Sequence, residues 1–463
     1  MTLPLIPTAV VGSHGKPGWW FAGVKAHERG EFGPADLEEM LDDAADTAIR
    51  DMERAGIDTI TDGEVRRLDG YVDSYYAIIK GIEPIPVRRK AGAWGYDQQT
   101  RYEAVGPIET PSGGLGIVRE FEYLKKHTTR HTKATCAGPL TFGSRIHPGK
   151  VYRSVVDVAE RFAEVINAEL HGLVAAGAEL IQIDEPARGN VSGEEMARLF
   201  NLATDGVSVK LGFHICFGNR FGRSRFQRTY EPYFPGILKS RAHQFVLEFA
   251  SREMAELDLW KAYGEGRELG AGVVDVKGFA QDTAEDVAKR IGKVLHVCPP
   301  EKLTVNPDCG FGWSPRYMCN AKLTALAGLR MLGHLGVLDR FRMVPRERAF
   351  EGALAWQPAE PMGDLAHGLG NLVSFTAKVV ILLLQIVDLF AKPLNLLLDH
   401  AHPLVDLGVG HDEPRQQGEQ LPGLLDPLRY PLARFGGLCG VHMGPRLPGR
   451  VPVFTPSRGG GRR

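Results

Sequence analysis

The sequence predicts an α/β fold, a single TIM (β/α)8 barrel with an irregular C-terminal tail, on three observations. Eight short apolar runs recur through the first two thirds of the chain, amphipathic helical stretches separate them, and polar residues gather at one end of the runs. Parallel strands joined by helices close at eight, and barrels of this type often use about 250 residues or more as one unit.

The runs fall at 8–11, 57–61, 132–136, 180–184, 209–214, 244–249, 272–276 and 303–306. Helical periodicity fills the gaps, as in DLEEMLDDAADTAIRDMERAG and VVDVAERFAEVINAELHGLVAAG, the second ending at Gly177, a natural C-cap. A longer insertion at about 72–126, containing GAWGYDQQTRYE and Trp94, predicts a lid or hairpin over the barrel mouth. Alternation stops near Ala327. The expected division is therefore a barrel at 1–335 and an irregular or disordered tail at 336–463, ending PSRGGGRR.

Composition narrows the function. A net charge of −1 gives no global case for nucleic acid or an anionic membrane. Hydrophobic content of 43% and charged content of 24% suit a globular protein. The N-terminus lacks the basic start and long apolar core of a signal peptide. The longest apolar run, at 379–391, is interrupted by Asp388 and is too short for a membrane span. Six scattered cysteines (136, 216, 298, 309, 319 and 439) do not make a disulfide scaffold. A reducing cytoplasm is the expected compartment.

The strand ends carry the chemistry. Gly12-Ser13, Asp62-Gly63-Glu64, Gly138-Pro139, Asp184-Glu185-Pro186, His214 with Cys216, Glu248, Asp275 with Lys277, and Asp308-Cys309 close the eight runs in order. In a parallel barrel these ends share one face, where active sites form. His214 and Cys216 are two apart, so an extended backbone turns both to the same side. With Glu248 and Cys309 they make a candidate Zn2+ site of one imidazole, two thiolates and a carboxylate. The bland reading pairs Glu248 in a salt bridge and leaves the cysteines as inert core. Ligands separated by nearly a hundred residues argue for a catalytic metal over a structural one.

Zinc held by two thiolates is a poor activator of water and a good host for another sulfur, which it keeps deprotonated and nucleophilic. Alkyl transfer to a small-molecule thiol follows. Asp184 and Glu64 could hold the ammonium group of an amino-acid thiol, or form salt bridges inside the barrel. Ser13 offers a hydroxyl and amides to a carboxylate, or is simple turn chemistry. Asp275 and Lys277 could deliver a proton to a leaving group, or pair with neighbours. His14, His147 and His243 read as ordinary polar or surface residues, and Cys298 and Cys319 carry no spacing signal.

The ordered segments TAVVGSHGKPGWW, TDGEVRR, CAGPLT, LIQIDEPA, FHICFGN, VLEFA, GVVDVK and VNPDCGFGW resemble the catalytic barrel of cobalamin-independent methionine synthase, over about residues 5–325. The resemblance implies zinc on His214, Cys216, Glu248 and Cys309, and homocysteine contacts from Ser13, Glu64 and Asp184. The family's folate-stacking tryptophan has no match in GPLTFGSRIH, an acidic residue after DEPA gives way to Asn190 or another uncharged residue, and Lys277 replaces a proton-donating histidine. The N-terminal barrel of the full-length enzymes has no counterpart here. These departures bear on the alkyl donor and leave the zinc–thiol half intact. The chain also looks like single-barrel relatives that include epoxyalkane:coenzyme M transferases. The expected function is methyl transfer to homocysteine, giving methionine. The alternatives are alkylation of coenzyme M by an epoxide and a non-catalytic zinc-holding barrel.

Overall fold

The computed structural model describes residues 3–328, apart from 69–70, 87–99, 111, 187–189, 220–221, 225–226 and 313. The chain divides into a unit at Met1–Leu354 and a second at Ala355–Arg463, and all the described residues belong to the first. The tail expected at 336–463 and the apolar run at 379–391 lie outside the described residues. No described helix is long and apolar enough to cross a membrane.

Eight parallel segments pair in a ring. Six of them form one sheet, running from Ala134–Ala137 through Leu180–Glu185, Lys210–Ile215, Gln244–Leu247 and Glu268–Val274 to Leu303–Pro307. Val305 then pairs with Thr8, and Ala9 pairs with Thr59. Thr59–Ile60 pairs with His131–Thr132, which leads through Lys133 back into Ala134–Ala137. Backbone bonds seal the joins: Ala9 N–H donates to Val305 O at 2.9 Å, Thr59 N–H to Thr8 O at 3.0 Å, and Lys133 N–H to Ile60 O at 3.0 Å. The ladder thus returns to its start, as a (β/α)8 barrel requires.

The helices are stopped and started by the expected residues. Helix Pro34–Ala55 begins behind Gly33, whose N–H donates to Asp36 Oδ2 at 2.8 Å. It buries Ala44, Ala45, Ala48, Ile49 and Met52 along one stripe. Helix Val155–Ala175 is capped by Ser154, which accepts from Asp157 N–H at 3.1 Å. Its C-cap is Ala176, and Gly177 follows in the left-handed region at φ 84°, one position beyond the expected cap.

The run expected at 57–61 is a strand only at Thr59–Ile60, the one at 244–249 ends at Leu247, and a third departs further. The run at 272–276 is the end of a strand that begins at Glu268. Its early part, ELGAG, reads poorly as strand because glycines weaken strands. Here they are needed for close packing: a Cβ on Gly270 would lie 2.9 Å from Val246 Cγ2, and one on Gly272 would lie 2.3 Å from Asp308 Oδ1. The insertion after Val72 contains an antiparallel hairpin, Lys80–Pro84 with Tyr102–Glu109, joined in parallel by Ile146–His147. Residues 87–99 between these two strands, including Trp94, lie outside the described residues.

Candidate metal and thiol site

Neighbouring strands deliver the ligand candidates to one place. His214 lies in strand Lys210–Ile215, in register with Asp184 on one side and Val246 on the other. Cys216 follows that strand, and Cys309 follows Leu303–Pro307. One ligand atom from each of His214, Cys216 and Cys309 lies within 4.8 Å of the other two, and all three residues are buried. The sulfurs of Cys216 and Cys309 are 3.3 Å apart. Glu248 is not in that group. It is buried, 2.7 Å from Lys277 Nζ through Oε2. Its Oε2 also accepts from Phe217 N–H at 3.2 Å, and Oε1 from the Ser251 hydroxyl at 2.7 Å.

The electrostatics divide the two thiols. Burial acts to raise the Cys216 pKa, but the hydrogen bond with Cys309 and the cationic His214 and Lys277 outweigh it and bring the thiol well below its usual range. Cys309 moves well upward, through the same hydrogen bond and through burial. Burial would lower the His214 pKa, yet Cys216, Asp184 and the Val246 carbonyl raise it overall.

The residues fit a metal on two further counts. Val246 O, 3.0 Å from His214 Nδ1, is an acceptor only, so it assigns the proton to Nδ1. Nε2 is buried beside Cys216, and once unprotonated it offers its lone pair to a metal. Two buried sulfurs in contact cannot both ionise unless a cation joins them. Two thiolates and an imidazole suit a borderline-soft divalent ion such as zinc.

The other strand-end residues ring the same barrel face. Glu64 is buried in the left-handed region at φ 55°, a strained conformation for a non-glycine residue. Its amide donates to Asp62 Oδ1 at 3.1 Å, and its Oε1 meets Arg67 Nη1 and the Thr135 hydroxyl, each at 2.8 Å. Gly12 makes room for it, since a Cβ there would lie 2.4 Å from Glu64 Oε1. Asp184 is also buried. Oδ2 accepts from the Tyr71 hydroxyl and Oδ1 from Gln182 Nε2, each at 2.7 Å. Burial pushes its pKa up to about 6. The Ser13 hydroxyl accepts from Gly312 N–H at 3.0 Å, beside Cys309 in sequence. Asp275 spends both oxygens on the amides of Lys277 and Gly278, at 2.8 and 3.0 Å, and so shapes the turn that carries Lys277. Asn190 is exposed, and residues 187–189 before it lie outside the described residues.

Sequence reasoning placed Asp308 at a strand end without a role, and left Gln182 and Tyr71 unnamed. Asp308 accepts from the amides of Phe249, Ala250 and Ser251 at 2.9, 2.8 and 2.6 Å, and so ties the Cys309 turn to the loop after Glu248. Its position beside Cys309 in PDCG was the available signal. Gln182 shares a strand face with Asp184, two residues away, which alternation alone could have shown. Tyr71 gives no local signal. His14, expected to be an ordinary polar or surface residue, is buried and polar-paired, with Nε2 3.2 Å from Asp51 Oδ2, and Asp51 also binds Arg316 Nη2 at 2.7 Å. His147 and His243 are exposed, as expected.

Fold and site together define a parallel β/α barrel with a thiol-rich, metal-competent cluster at the carboxyl ends of its strands. The chain belongs to the cobalamin-independent synthase family, catalytic domain, whose family model matches residues 6–328. It is 37% identical over 329 residues to a methionine synthase of Saccharolobus solfataricus, covering 70% of this chain and 93% of that protein. A methionine synthase of Sulfurisphaera tokodaii is 35% identical over 326 residues, covering 69% and 90%. Among solved structures, a B12-independent methionine synthase from a Shewanella species, in complex with selenomethionine, superposes with a TM-score of 0.60 at 25% identity. That match covers 72% of this chain and all of the other. The resemblance expected over about 5–325 is therefore borne out.

Proposed function

We propose that this protein transfers a methyl group to the thiol of homocysteine, giving methionine, at a zinc site within a barrel domain at 1–335. The observation that carries this reading is the convergence of His214, Cys216 and Cys309 beside Asp184, which pairs in register with His214. Relatives named methionine synthase over nearly their whole length support it.

His214, Cys216 and Cys309 would hold the zinc, with Glu248 as the fourth candidate ligand. When bound, zinc lowers the pKa of a coordinated thiol and keeps the thiolate nucleophilic. Glu64 and Asp184 take the substrate ammonium, and Ser13 with its neighbouring amides takes the carboxylate, which aims the sulfur at the cluster. The sulfur lone pair attacks the methyl carbon, and the bond from that carbon to the donor breaks with its electron pair on the donor. Lys277, oriented by the Asp275 turn, supplies the proton the leaving group needs. The thiolate ligands suit a reducing cytoplasm.

A second reading keeps the same zinc thiolate and alkylates coenzyme M with an epoxide. The Lys277 ammonium is the observation in its favour, since it could meet an anionic thiol or protonate an opening epoxide.

One experiment tests both. Zinc stoichiometry is measured first, then proton release on adding homocysteine or coenzyme M to the zinc-loaded protein. Release with homocysteine alone is expected. Release with coenzyme M alone selects the second reading, and none with either defeats both.

A further inference from the structure

Glu248 is claimed by two parties. His214, Cys216 and Cys309 converge without it, and its carboxylate is instead fully engaged by Lys277, Ser251 and the Phe217 amide. Both Glu248 and Lys277 are buried, at 0% and 7% side-chain exposure. Among the described residues, Lys277 Nζ has no hydrogen-bond partner beyond this ion pair.

We propose that Lys277, before any proton transfer, also acts as a positioning group that competes with the metal for the Glu248 carboxylate, leaving three fixed ligands and a fourth position open to the substrate sulfur. The proposal deepens the zinc–thiol reading above and rests on it. A carboxylate is the hardest of the four donors and the poorest match to a borderline-soft ion, so it is the ligand most readily given up. Giving it up is costly only where the freed charge is left buried and unpaired. Lys277, Ser251 and Phe217 provide that pairing in advance. Charge balance points the same way. Two thiolates and a carboxylate around a divalent ion leave one negative charge, and a substrate thiolate would make it two. Drawing Glu248 onto Lys277 cancels one of them as the thiolate enters.

The test uses the full chain loaded with zinc, and reads zinc affinity by competition with a chelator. Lys277→Met is expected to bind zinc roughly tenfold more tightly and homocysteine correspondingly more weakly, since Glu248 no longer has a rival partner. Lys277→Arg, which keeps the cation, is expected to match the wild type. Lys277→Gln serves as the neutral variant should the methionine protein fail to fold. In a Glu248→Gln background the Lys277→Met effect should vanish. Unchanged zinc affinity in both neutral variants overturns the proposal. So does equal tightening in the Glu248→Gln background, which would mean plain repulsion between ammonium and metal. If the wild type holds zinc but takes up no thiol, the proposed function fails while the zinc comparison still decides the competition.

Discussion

Cys216 and Cys309 place their sulfurs 3.3 Å apart although 93 residues separate them in sequence. Each follows a different strand of the barrel, so the strands hold the pair in place whether or not a metal is bound. Cys309→Ser should therefore lower zinc affinity by more than roughly a hundredfold, beyond what outer partners of a ligand contribute. Melting temperature without metal should stay within a few degrees of the wild type. Metal analysis alongside thermal unfolding checks this; full zinc content in the variant would remove Cys309 from the ligand set.

Tyr71 holds Asp184 Oδ2 at 2.7 Å. A hydrogen bond to a charged group is worth about 1.5–3 kcal/mol. Tyr71→Phe should raise the KM for homocysteine roughly tenfold or more while changing kcat little. A thiol substrate lacking the amino group should be insensitive to the change. Steady-state kinetics with both thiols reads the difference, and equal losses on the two would detach Tyr71 from ammonium recognition.

Lys133 gives the fold a pH signature. Its amine is buried inside the barrel, donating to Val10 O and to Gln182 Oε1, the latter at 2.6 Å. Burial pushes its pKa down to about 8 from 10.5, against the opposing pull of Asp184 and Glu64. Between those two values the unfolded chain binds the extra proton, so this group makes stability rise as pH rises through that window. Lys133→Met should lose that contribution. Urea unfolding of both proteins at the two ends of the window measures it, and a parallel pH dependence in the variant would refute the assignment.

Asp308 accepts from three backbone amides in succession. Burial acts to raise its pKa to about 7, and Glu248 adds to that, while Lys277 and the amides favour the ionised form. Asp308→Ala leaves those amides buried without partners. The expected cost is at least about 3 kcal/mol of unfolding free energy. Denaturant titration measures it, and a loss under about 1 kcal/mol would show that the loop finds other acceptors.

Much of this was legible because barrel strands repeat one rule. Apolar runs located all eight segments, and polar residues at their ends located Ser13, Glu64, Asp184, His214, Cys216, Glu248 and Cys309. The failures have physical causes. The strand from Glu268 was truncated because glycine is a poor strand former in general and a necessary one beside Asp308. The Glu248 partner was foreseen only as a generic salt bridge, since pairing with Lys277 depends on how two loops approach each other. Tyr71 and Asp184 are 113 residues apart, beyond any spacing argument. The burial of His14 was not legible because it depends on Asp51 and Arg316, from two helices far apart in sequence.

The ring of strands is joined between Thr8 and Val305, by a segment only a few residues long. Ser13 and Gly312 meet at the same seam. A contact spanning nearly the whole barrel carries the largest loop-closure entropy and belongs to the slow class of folding events. The cysteine turn and the serine that flanks it are thus brought together only by ring closure. A nascent or nicked chain that has built seven of the eight strands would hold most of the core and yet lack a finished pocket. Competence for chemistry would then appear all at once, at closure, and would report on completion of the ring more sharply than helix content does.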